Sequence, residues 1–270
     1  MKRAALGFTV GLTACLLAAC NPLSNTLSLP PEPGNMPAGQ TPMPAGRVQG
    51  ESKTFMNQTV TSWVKLNGET IEETGFTLPV ALVEATSTDA KSAPFSIKLE
   101  LPDVVQSKTV VDNVSIDYLA GGHPPPGVYD KPHFDVHFYF NPDSVNAKVD
   151  CSDKTQAAAD RVPPPYMFFP PDAPECVPTM GFHGIDPRSP ELAQQNPAPF
   201  TKTMILGFYG GKQVFIEPMV TREFLLKKEG FSIDVLKGTV VDKPGLYPSK
   251  AVLRMNAAGT AYELVLTEFK

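Results

Sequence analysis

Residues 133–140 read His-Phe-Asp-Val-His-Phe-Tyr-Phe, an unbroken alternation of polar and apolar positions. Side chains on a strand point alternately to opposite faces. An extended chain here turns Phe134, Val136, Phe138 and Phe140 one way and His133, Asp135, His137 and Tyr139 the other. Similar period-two patterns cover residues 60–65, which run into an Asn67-Gly68 turn, and residues 95–101 (FSIKLEL). Residues 110–118 alternate more loosely. Residues 204–209 and 212–217 flank Gly210-Gly211 as a tight hairpin, and 251–255 and 262–269 flank a short turn. Thr221, residues 222–229 (REFLLKKE) and Gly230 predict one short helix with a hydroxyl cap and a glycine stop. Many strands joined by Pro- and Gly-rich connections predict a mainly β fold. The expected architecture is an antiparallel sandwich or barrel, jelly-roll-like, with one short helix and long Pro-rich loops.

The first residues follow a different rule. Lys2 and Arg3 precede an apolar stretch, residues 4–19, that is short for a bilayer span. It closes on Leu17-Ala18-Ala19-Cys20, which resembles the lipobox of bacterial lipoproteins. The resemblance implies a signal peptide over 1–19, cleavage before Cys20 and lipid on that thiol. Several acyl chains make a lasting membrane anchor, because each buried methylene contributes about 0.8 kcal/mol. The familiar inner-membrane retention signal is Asp at the next position, which here is Asn21. The expected location is therefore the cell envelope, on the outer membrane facing the periplasm in a cell with two membranes. Residues 20–53, rich in Pro, Gly, Ser and Thr, read as the lipidated cysteine and a tether. Residues 54–270 are enough for a single β-rich domain.

Charge and cysteine count narrow the function further. Without Lys2 and Arg3, 21 basic residues face 28 acidic ones, a net charge of about −7. That argues against nucleic acid as a partner and against an electrostatic grip on membranes. Of the 4 cysteines, Cys15 leaves with the signal and Cys20 carries lipid, so Cys151 and Cys176 remain as a pair for an oxidising compartment. A disulfide between them closes a Pro-rich loop of roughly 25 residues and stabilises by about 3 kcal/mol on the chain-entropy picture. A Cys/His metal site using both thiols is the rival reading.

The chain has 4 histidines, all between His123 and His183. Residues four apart on a straight strand are about 13 Å apart at Cα, so His133 and His137 cannot share one ion unless the strand bends. Other segments must contribute. A two-residue turn at Gly210-Gly211 places Tyr209 opposite Lys212 and Met204 opposite Glu217. That register puts Glu217 on one face with Phe215, Leu206, Phe208 and Met204, where a carboxylate is costly unless paired or bound to a cation. His183 lies a few residues beyond Cys176. The candidate metal site is therefore His133, His137, His183 and Glu217, with Asp135 as ligand or orienter. Imidazole and carboxylate suit Zn, Fe, Mn or Cu(II). His123, in Gly-Gly-His-Pro-Pro-Pro-Gly, reads as a loop-packing residue. The structural alternative is a hydrogen-bond network with no ion. Asp112, Asp117, Asp130 and Asp135 do not make an EF-hand loop, and no G-x-S-x-G elbow, P-loop or dinucleotide glycine pattern occurs.

Residues 121–140 (GGHPPPGVYDKPHFDVHFYF), 176–183 (CVPTMGFH) and 200–226 (FTKTMILGFYGGKQVFIEPMVTREFLL) together resemble a bacterial family of exported proteins and lipoproteins of unknown function. The resemblance implies a single mostly β domain and no transferable activity. A glycine six residues before His133 also resembles the first cupin motif, but cupins place two histidines two apart, so a cupin metal site is not expected. The function these readings support is a lipid-anchored envelope protein with a His/Asp/Glu metal or small-ligand site and no assigned activity. The alternative is a structural or partner-binding lipoprotein that docks another envelope protein or a copy of itself.

Overall fold

The computed structural model describes residues 46–168 and 175–270. The signal peptide, Cys20 and the tether up to residue 45 lie outside the described residues. Two antiparallel sheets pack face to face, as expected for a sandwich, and neither closes into a barrel. The first sheet contains β1 (Arg47–Phe55), β2 (Gln58–Asn67), β3 (Thr70–Pro79), β12 (Phe231–Asp234), β13 (Lys250–Met255) and β14 (Ala261–Thr267), in the order β1-β2-β3-β14-β13-β12. The second contains β4 (Phe95–Glu100), β5 (Asn113–Leu119), β6 (His133–Tyr139), β7 (Met167–Phe168), β9 (Gly181–Ile185), β10 (Lys202–Tyr209) and β11 (Lys212–Thr221). Its order is β4-β5-β6-β11-β10-β9-β7, and β8 (Cys176–Val177) pairs with β9.

Where one short helix was expected, the described residues hold four: α1 (Val80–Ala85), α2 (Asp103–Lys108), α3 (Asp143–Asn146) and α4 (Arg222–Leu226). Three begin immediately after a proline. That residue's fixed φ suits entry to a helix, a signal easily read as loop in so Pro-rich a chain. The predicted helix is α4, where the Thr221 hydroxyl accepts from the Phe224 amide. It stops at Leu226, before Gly230, because the chain turns through positive φ at Lys228. The first strand, β1, begins at Arg47, ahead of residue 54. Arg47 to Phe55 look like tether because their side chains are mostly polar, but pairing with β2 satisfies their backbone.

The sheets meet over the apolar face of β6. Phe134, Val136, Phe138 and Phe140 are buried together with Phe76, Leu78, Leu253 and Leu264 of the first sheet. Phe76 and Phe138 rings lie 6.4 Å apart across the interface. Each such fully buried side chain contributes about 1.5–3 kcal/mol. The strand is thus pinned with its polar residues pointing away from this core, because a one-residue slip would turn all four aromatic and aliphatic groups outward. No helix among the described residues is long and apolar enough to cross a membrane.

On the far side of the first sheet, Arg47 makes a bidentate pair with Glu263 at 2.6 and 2.8 Å while its guanidinium stacks 3.6 Å over Trp63. Arg254 pairs with Glu73 at 2.7 and 2.9 Å and with Glu263 at 3.0 Å. The Arg254 hydrogen bond holds Glu73 below the usual carboxylate range. Burial pushes Glu263 up, but Arg47 and Arg254 more than offset it and hold it low as well. Groups with depressed folded pKa values stabilise above their unfolded pKa, about 4.3 for Glu, and lose that contribution as pH falls through the folded values. Denaturant unfolding should therefore show stability falling below about pH 4.5. Glu263→Gln should flatten that fall; an unchanged acid limb in the variant would exclude the network as its source.

Candidate metal sites

The polar face of β6 is a buried interior surface. β6 is a central strand between β5 and β11, and all seven of its residues are buried. A second apolar cluster covers this face: Tyr129 and Phe200 from connecting segments, with Tyr139, Ile205, Phe215 and Met219 from the sheet. Histidines and carboxylates are therefore held in a region from which water is largely excluded.

A β-bulge decides how Glu217 arrives there. The hairpin closes with Gly210 and Gly211 at φ 56° and 74°, the positive values a two-residue turn of the favoured hand demands. Tyr209 pairs with Lys212 and Phe208 with Gln213, but Gly207 pairs with Phe215, leaving Val214 as the extra residue. The expected Met204–Glu217 pairing is thus wrong by one position: Ile205 faces Glu217 and Met204 faces Pro218. Met204, Leu206 and Phe208 go to the main core, and Glu217 shares its face with Phe215, Ile205 and Met219. Met219 pairs with Asp135 and Ile216 with Phe138, so Glu217 stands level with His137.

The five expected ligands do not form one set. His137, His183 and Glu217 come together, each offering a ligand atom within 4.8 Å of the others. His137 Nε2 lies 3.4 Å from Glu217 Oε1, and His183 Nε2 lies 3.8 Å from Glu217 Oε2. His133 and Asp135 form a separate trio with His123, which joins this trio as well as belonging to a loop. There His133 Nε2 lies 3.0 Å from Asp135 Oδ1, and His123 Nε2 lies 3.4 Å from Asp135 Oδ2. The split follows from strand geometry, since His133 and His137 point the same way from positions four apart. His123 reaches back because its loop folds onto the sheet, the His123 amide donating to the Tyr129 carbonyl at 3.2 Å.

Asp117 is the residue the sequence reading missed. Its Oδ2 accepts from His137 Nδ1 at 2.9 Å, which leaves Nε2 to face Glu217. Its other oxygen accepts from Ser115 Oγ at 2.9 Å and from Ser96 Oγ. The signal was present: Asn113, Ser115 and Asp117 are the polar alternates of β5, on the strand beside β6. Aromatic edges fix the rings. Phe215 contacts His137 and His183 at centroid distances of 4.9 and 5.3 Å, and Phe200 contacts His133 at 5.4 Å.

The electrostatics are those of opposite charges forced together. Burial lowers the His137 pKa, but Glu217 and Asp117 reverse this and bring it up to about 9. Burial likewise opposes protonation of His123, and Asp135 overrides it, again to about 9. His183 is held below its ordinary value by burial and then by the charges of His137 and His123. Burial, against the pull of His137, raises Glu217. Burial also works against ionised Asp135, but the neighbouring His123 and His133 imidazoles hold it well below the usual range.

Buried His137 Nε2, Glu217 Oε2, His133 Nε2 and Asp135 Oδ1 have no hydrogen-bond partner. Such groups are rare because each costs about 1–3 kcal/mol. Zinc-like bonds of about 2.0–2.1 Å in tetrahedral geometry set ligand atoms roughly 3.3–3.4 Å apart. The N–O spacings in the two trios bracket that value. The site and fold define a two-sheet β protein with two His/carboxylate clusters able to hold a metal ion or to stand as ion-pair networks. The chain matches no protein-family model, no curated protein and no solved structure. The disulfide Cys151–Cys176 is formed, with Cα atoms 5.7 Å apart, so neither thiol is a metal ligand.

Proposed function

We propose that this is a metal-binding protein of the cell envelope, tethered by lipid on Cys20, whose ion sits between His137, His183 and Glu217. The observation that carries the reading is the unpartnered pair His137 Nε2 and Glu217 Oε2 in a buried site whose Nδ1 is already committed to Asp117. A carboxylate orienting a histidine from behind is the usual support of a metal-bound imidazole. Two imidazoles and one carboxylate suit Zn, Fe, Mn or Cu and leave coordination positions for water or a substrate. His183 is 26% exposed where His137 is 1% and Glu217 2% exposed, so the open positions face outward past His183.

A second reading has one observation in its favour. Glu217 and Asp117 draw a proton onto His137, which makes a stable ion pair without any metal. Elemental analysis of the full chain, purified without a His tag, separates the two. The metal reading expects bound ion in the wild type, with affinity at the His137–His183–Glu217 set reduced at least roughly tenfold in Glu217→Gln. The ion-pair reading expects no ion in either protein and a destabilised variant. A metal-free wild type that takes up neither Zn²⁺ nor Mn²⁺ on titration would end the metal reading.

A further inference from the structure

We propose that the loop histidine His123, with His133 and Asp135, holds a second divalent transition-metal ion, so that the covered face of the second sheet is a two-ion centre. The inference rests on the first site being an ion site, but it uses a disjoint set of side chains. The argument begins with tautomers. His133 Nδ1 lies 2.6 Å from the Lys131 carbonyl oxygen, and His123 Nδ1 lies 2.7 Å from the Pro124 carbonyl oxygen. A carbonyl only accepts, so both Nδ1 atoms carry hydrogen and donate. In each ring Nε2 is thus the atom left to face Asp135, and in the neutral ring it presents a lone pair there.

A lone pair facing a carboxylate oxygen is repulsive unless a proton or a metal ion lies between them, and a proton serves only where the oxygen lies near the N–H line. His133 Nε2 and Asp135 Oδ1 are 3.0 Å apart yet make no hydrogen bond, because the oxygen is off the line of a ring N–H. Their side chains are 0% and 7% exposed, so water does not readily take the place of a partner. A cation bound to both atoms at ordinary bond lengths needs just such a spacing and such a bend. His123 supplies the third ligand from the solvent side, at 30% exposure. Phe200 and Tyr129 wall the rings with apolar surface, the His123 and Tyr129 centroids being 5.6 Å apart.

Asp135 and His137 are alternate residues on one strand, about 6.6 Å apart at Cα. The two ions would therefore lie side by side, each in its own ligand set, both opening toward the exposed histidines His123 and His183. Two imidazoles and a carboxylate select Zn²⁺, Fe²⁺ or Mn²⁺ over Ca²⁺ or Mg²⁺, which prefer all-oxygen shells.

The test is Zn²⁺ stoichiometry on the full chain, measured by calorimetry and by elemental analysis after dialysis. The expected result is two ions per wild-type chain, one in His123→Ala and one in His183→Ala, each variant melting cooperatively. Asp135→Asn is the second variant and should also lose one ion. One ion per wild-type chain, kept in His123→Ala and lost in His183→Ala, would overturn this proposal and leave the first site standing. Two ions retained in His123→Ala would overturn it as well. A wild type that binds none removes both readings together.

Discussion

Gly207→Ala is expected to destabilise the domain by about 2–3 kcal/mol, the upper part of the range for overpacking a core. That corresponds to a melting temperature lower by roughly 5–10 °C for a domain of this size. It should also weaken the proposed ion site at His137 at least tenfold, as loss of supporting groups does. A Cβ at residue 207 would stand 2.0 Å from Phe215 Cε1 and 2.1 Å from Cζ. The Phe215 ring occupies that space because the bulge at Val214 pairs Phe215 directly with Gly207. It is fully buried and packed against His137, His183 and Tyr139, the last at 5.5 Å. The ring cannot yield without moving both histidines, so the loss should appear in melting and in metal content together. Normal melting with normal metal content would show that the ring has slack and props neither imidazole.

The second large effect is expected from replacing both Cys151 and Cys176 with serine. Their sequence separation is 25. Closing a loop of that length contributes about 3 kcal/mol on the chain-entropy picture, or roughly 6–12 °C in melting temperature. The structural consequence should be one-sided. Cys176 pairs with Phe182 in the β8–β9 ladder, next to His183, while Thr179 is tied to Val149 by a 2.7 Å backbone bond. Freeing Cys176 loosens the strand that carries His183 and leaves the loop that carries His123 alone. The double variant should thus lose zinc affinity at the His137–His183–Glu217 set and keep it at the His123–His133–Asp135 set, as read by calorimetry. Equal loss at both sets, or no loss at either, would dissociate the disulfide from the site.

Much of the scaffold was legible because its signals are local. The alternation over 133–140 is met by a single arrangement, a strand with Phe134, Val136, Phe138 and Phe140 inward, and that is the strand observed. Gly210-Gly211 marked its hairpin and Thr221 its helix cap for equally short-range reasons. Cys151 and Cys176 followed from counting thiols. Helices α1 to α3 were not legible, because each is only four to six residues long and begins after a proline that also suits a loop.

The candidate site was legible as a list of residue types and not as an arrangement. His137, His183 and Glu217 do converge, but only because one extra residue at Val214 turns Glu217 to the face that His137 occupies. Asp117 and His123 enter through neighbours distant in sequence, a paired strand and a folded-back loop.

What the chain by itself determined is therefore which side chains each strand presents and to which side, since backbone pleating sets that residue by residue. Tertiary structure alone decided which of those side chains meet. Register, bulges and loop return depend on contacts between segments far apart along the chain, and a shift of one position in any of them assembles a different set of ligands.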